Sequence, residues 1–98
     1  MIKLFKNGKE LCEVKECKFF QGEQKVNYLK LVGGKPCTRI RIPGKKDVDR
    51  VTFFVPIFLV RDNPSEYELR DDEGNSMSIS IDHIKSEQNQ SFVKAVIY

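Results

Sequence analysis

Hydrophobic and polar positions alternate with a period of two along most of this chain. Met77, Ile79 and Ile81 fall on one parity and Ser78, Ser80 and Asp82 on the other, the pattern of a half-buried strand. Thr38, Ile40 and Ile42 repeat it, with Arg39 and Arg41 on the opposite face. Turn residues divide these stretches. Asn7-Gly8 predicts a type I′ hairpin, because both residues tolerate positive φ, with Ile2 and Leu4 on one face of its first arm. The returning arm, Glu10 to Phe20, fits two patterns. Cys12 and Val14 alternate as in a strand, whereas Leu11, Val14 and Cys17 recur at helical spacing, so a short helix near 10–18 rivals the strand. A strand there would send Cys12 and Cys17 to opposite faces. Gly22 ends the arm, and Val26 to Val32 opens a second hairpin. Its turn reads as Gly33-Gly34-Lys35-Pro36, and Pro43-Gly44-Lys45-Lys46 closes it.

Val51 to Val60 is the longest uncharged run, and charged segments flank it on both sides. Its β-branched and aromatic content predicts a strand at the centre of the core, bent or interrupted at Pro56. Beyond it, 62–65 reads as a loop, Tyr67 to Arg70 as a strand and Asp71 to Asn75 as a polar hairpin tip. Ser86 to Gln90 reads as a loop and Phe92 to Tyr98 as a last strand. Six to seven short strands separated by turn signals predict one all-β domain over 1–98, a small antiparallel barrel or sandwich. OB-like or SH3-like barrels fit by analogy only.

Composition supports a self-sufficient core, with 40% hydrophobic and 32% charged residues in 98. No apolar run reaches the ~18–20 residues that cross a bilayer, and the first residues lack the features of a signal peptide. Three cysteines, an odd number, read as free and mostly buried thiols. The expectation is a cytoplasmic protein with no membrane association.

Charge changes the picture further. Residues 25–50 carry eight Lys or Arg and two Asp, while 61–90 carry three Lys or Arg and eight Asp or Glu. The chain is basic before the apolar run and acidic after it, which bears on partners rather than on fold.

Catalytic and metal chemistry find little footing. Asp71, Asp72, Glu73 and Asn75 begin like a calcium loop, but Ser76 stands where that motif needs glycine. Cys12, Cys17, Cys37 and His83 have the residue types of a zinc site without its spacing. His83 ends the apolar parity of its strand, which suggests a histidine at the core margin. No phosphate loop, nucleophile elbow or zinc-protease motif is present, so the reading is a non-enzymatic protein with no cofactor and no metal.

One surface remains. The second hairpin would place Tyr28, Lys30, Arg39 and Arg41 on one outer face, with Lys35, Lys45 and Lys46 at its turns. Cations around an aromatic ring suit a single-stranded nucleic acid, the cations following phosphates and the ring stacking on a base. The competing reading is an ordinary solvated sheet face. A second functional class is a protein-interaction or inhibitor module, with Asp71, Asp72 and Glu73 as exposed anions. It would form a homo-oligomer, such as a homodimer, through Phe53, Phe54 and Phe58 on the apolar run. A small accessory protein of a virus or mobile element fits either class by size.

Overall fold

The computed structural model describes residues 1–26, 28–32, 35–38, 48–60 and 65–97, with backbone alone at 28–32 and 35–38. The described chain is all-β, and every strand pairing in it is antiparallel. The strands are β1 (Lys3–Lys6), β2 (Lys9–Glu13), β3 (Lys15–Gln21), β4 (Gln24–Val26), β5 (Tyr28–Val32), β6 (Lys35–Thr38), β7 (Arg50–Val55), β8 (Tyr67–Arg70), β9 (Ser76–Glu87) and β10 (Gln90–Ile97). Eight of them form one sheet in the order β2-β1-β8-β9-β10-β7-β3-β4, and β5 pairs with β6 separately. The described strands therefore outnumber the six or seven expected. Among the described residues no helix is long and apolar enough to cross a membrane.

The sheet is not a closed barrel. Its edges, β2 and β4, do not pair, yet it must curl, because β2 and β3 lie far apart in sheet order and are joined through Val14 alone. Val14 is buried at this corner and its N–H donates to the carbonyl of Ile2 at 2.9 Å. Residues 10–18 thus form two strands meeting at a corner, and neither the helix nor the single long arm is present. The corner explains why two periodicities competed there: Val14 belongs to the core through a change of strand direction.

The core fills the inside of the curl, lined by alternate residues of each strand. Val51, Phe53 and Val55 of β7 point inward, as do Val93, Ala95 and Ile97 of β10 and Met77, Ile79 and Ile81 of β9. Leu4, Phe19 and Leu69 are fully buried with them. A phenylalanine buried as completely as Phe53 contributes about 1.5–3 kcal/mol over its exposed state. The first hairpin turns at Asn7 and Gly8, both at positive φ, and clamps onto residue 66. Asn7 N–H donates to the Glu66 carbonyl at 2.7 Å, and Glu66 N–H returns a bond to Asn7 Oδ1 at 2.8 Å.

The apolar run divides in two. Arg50–Val55 is strand, and Pro56 ends it because a proline cannot donate to the ladder. Residues 56–60 then run as a strap across the end of the β9–β10 hairpin. The buried Ser91 hydroxyl accepts from Leu59 N–H and donates to the Ile57 carbonyl, both at 2.9 Å, and Ser86 Oγ reaches the Leu59 carbonyl. Leu59 is drawn into the core while Phe58 and Val60 stay 62% exposed. Ser86 to Gln90, expected as a loop, mostly extends the two strands of this hairpin.

Candidate nucleic-acid interface

Alternation that sends one parity inward leaves the other on the convex face, and there the register aligns three rows of side chains. The first row runs Lys25, Phe20, Arg50, Val96 and Ser80 across β4, β3, β7, β10 and β9. The second runs Lys18, Thr52, Lys94 and His83, and the third Lys15, Phe54, Phe92 and Lys85. Phe20, Phe54 and Phe92 are half-buried, while the Lys and Arg side chains of the rows are exposed. The Phe54 and Phe92 rings meet at 4.9 Å between centroids with planes tilted by 49°, and Lys94 Nζ lies 6.0 Å from the Phe92 centroid.

Two open clefts meet at this ring pair. One, of about 460 Å³, is bounded by Lys18, Phe20, Arg50, Thr52 and Lys94, with Glu16, Glu23 and Asp82 on its border. The other, of about 760 Å³, lies between the rings and the tip of the β9–β10 hairpin. Among the described residues Lys15, Lys18, Lys25 and Arg50 have no ion-pair partner, whereas Lys85 pairs with Glu87 at 3.4 Å. Neighbouring rows are two residues apart, about 7 Å along the strands. The face therefore offers apolar rings between cations that have no ion-pair partner among the described residues.

None of the residues expected to make the basic hairpin face has a described side chain. Tyr28 and Lys30 are on β5 and Lys35 is on β6, where only the backbone is described. Arg39, Arg41, Lys45 and Lys46 lie outside the described residues. Lys35 and Pro36 belong to β6 rather than to the turn, since Val32 pairs with Lys35, and a bulge falls between Tyr28 and Lys30. The basic segment 25–50 nevertheless starts and ends on the convex face, because Lys25 and Arg50 both pair with Phe20.

The three candidate interface phenylalanines separate. Phe53 is in the core, Phe54 is on the convex face and Phe58 is exposed on the strap. Phe20, Phe92, Lys18, Arg50 and Lys94 escaped the sequence reading as site residues. Their signal was an aromatic sharing parity with a cation, Phe92 with Lys94 and Phe20 with Lys18, in strands whose other parity is apolar.

The remaining candidates fall elsewhere. Cys12 and Cys17 both pack against the core, because they stand on different strands rather than on opposite faces of one. Burial pushes the Cys17 thiol up to about 12, and it also raises that of Cys12, to which the nearby Glu10 carboxylate adds. His83 is exposed rather than at the core margin. A bulge resets the parity of β9 there, since Lys94 pairs with His83 and Ala95 with Ile81. The Asp71 carboxylate is engaged by its own loop, Oδ1 accepting from the N–H groups of Glu73 and Asn75 at 3.0 Å each. Among the described residues no three His, Cys, Asp or Glu side chains gather as a metal site. The chain matches no protein-family model, no curated protein and no solved structure.

Proposed function

We propose that this protein is a non-enzymatic binder of single-stranded nucleic acid, with the convex face of β9, β10, β7, β3 and β4 as its platform. The observation that carries the reading is the register of three rows that set Phe20, Phe54 and Phe92 among Lys15, Lys18, Lys25, Arg50 and Lys94. Stacking needs an exposed base face, which a duplex hides, so a single strand is the favoured ligand. The hairpin of Tyr28, Lys30, Lys35, Arg39, Arg41, Lys45 and Lys46 would extend the platform, since its segment leaves and rejoins the sheet beside Phe20.

Fluorescence anisotropy with a labelled oligonucleotide across a salt series tests this. Binding should weaken steeply with salt, and Lys18→Ala, Arg50→Ala and Lys94→Ala should each lower the log–log slope by about 0.7. Phe54→Ala and Phe92→Ala should weaken binding by about 1–3 kcal/mol per lost stack while leaving the slope unchanged. Absence of binding at low ionic strength, or binding indifferent to salt, refutes the proposal.

A second reading, a protein-interaction or inhibitor module that self-associates through 51–60, draws support from the exposure of Phe58 and Val60 on the strap. Sizing chromatography separates the two. Self-association through the strap predicts a dimer that Phe58→Ser dissociates, and a monomer at all concentrations removes it.

A further inference from the structure

The tip of the β9–β10 hairpin has a chemistry distinct from the rest of the platform. Glu87 pairs with Gln90, which leaves Gln88 and Asn89 as a two-residue turn, with Gln88 at φ 50. Positive φ at the first of two turn residues is what a tight hairpin with the right-handed strand twist requires, as at Asn7. The turn holds Gln88, Asn89 and Gln90 along the lip of the 760 Å³ cleft floored by Phe54 and Phe92. All three amides are exposed, and among the described residues their side chains make no hydrogen bond. Of the cations beside this turn, Lys85 is engaged by Glu87 and Lys15 lies across Phe54 next to Gln90, so the lip of the cleft itself presents amides and a carboxylate.

We infer that this cleft reads a nucleobase, stacked on Phe54 and Phe92, by its edge, and that it favours adenine over cytosine and both over thymine. The inference rests on the nucleic-acid reading of the face. An amide carries a donor and an acceptor side by side, matching the N6 amino group and N7 of adenine. The Glu87 carboxylate only accepts, so it takes an amino hydrogen of adenine or cytosine and repels the carbonyl oxygens that thymine or uracil presents. Adenine precedes cytosine because its two rings cover more of the phenylalanine pair.

The test is anisotropy titration with labelled oligo-dA, oligo-dC and oligo-dT of roughly twelve nucleotides, within the range one small fold covers. Oligo-dA should bind tightest, about fivefold or more over oligo-dT, with oligo-dC between them. The double variant Asn89→Ala with Gln90→Ala, which keeps Gln88 in the turn, should bring the dA:dT ratio close to one and leave the dT affinity almost unchanged. Glu87→Gln, nearly isosteric, should lower the same ratio. Lys18→Ala should weaken all three ligands together and preserve the ratio. Equal, salt-sensitive binding of all three oligonucleotides overturns this inference and leaves the platform standing. A preference for dA that survives both hairpin changes overturns the assignment to Glu87–Gln90. No binding of any of them overturns the platform as well.

Discussion

Ser91 is fully buried in a strand whose inward side chains are otherwise apolar, and its hydroxyl is bonded to the backbone of the strap on both the donor and acceptor side. Tyr67 is equally enclosed, but its hydroxyl has no hydrogen-bond partner among the described residues. The two hydroxyls therefore predict opposite responses to removal. Ser91→Ala strands the Leu59 N–H and should cost about 1–3 kcal/mol in urea unfolding, whereas Tyr67→Phe removes an unmet polar group and should be neutral or stabilising. Equal losses would contradict this pairing. Cys17 supplies a third prediction at this scale. Burial raises its thiol from about 9 to about 12, so between those values the folded protein keeps a proton that the unfolded chain has released. Its contribution is complete below pH 9 and is lost as pH rises toward 12. Cys17→Ala should accordingly show a smaller drop in urea midpoint than the parent across that alkaline window, whatever its stability at neutral pH.

Short elements explain which parts of the structure were legible in the sequence. Tyr67–Arg70, the Asn7-Gly8 turn and the inward trio Met77, Ile79 and Ile81 follow from local rules, since turn chemistry and period-two alternation act over a few residues. Val14 and Pro56 mark where the local rules stop. A corner puts an inward residue between two strands, and a strap keeps an apolar run outside the ladder, and both depend on partners distant in sequence. The candidate site was only partly legible for the same reason. Parity brings Phe92 and Lys94 together, but alignment of Phe92 with Phe54, Lys15 and Lys85 is a matter of register, which no single strand encodes. The bulges also hid from view. Glu16 sits at φ 51 in the bulge between Lys15 and Lys18, an unusual conformation for a residue with a side chain. Glu16→Gly should relieve it and raise stability by about 0.5–1 kcal/mol, measured by thermal unfolding, and a loss would show that the side chain is holding the bulge.

At the scale of the molecule, the segregation of charge in the sequence becomes a segregation across the sheet. Acidic side chains outnumber basic ones toward β8 and β9, where Glu66, Glu68, Asp71, Asp72, Glu73, Asp82 and Glu87 face Arg70 and Lys85, while the opposite flank of β3, β4 and β7 carries Lys15, Lys18, Lys25 and Arg50 against Glu16 and Glu23. An approaching polyanion would be turned toward that basic flank before contact, and the orienting field would fade within about 10 Å at 0.1 M salt. The order of the strands has one more consequence. β10 comes last among the described strands and lies between β9 and β7, the seam that joins β2-β1-β8-β9 to β7-β3-β4. During synthesis the other described strands would leave the ribosome before it, and the two halves would then have no ladder between them. Until Gln90–Ile97 emerges, the nascent chain has hairpins and a corner at Val14 but no continuous sheet, and its unpaired β7 and β9 edges are then open to other chains.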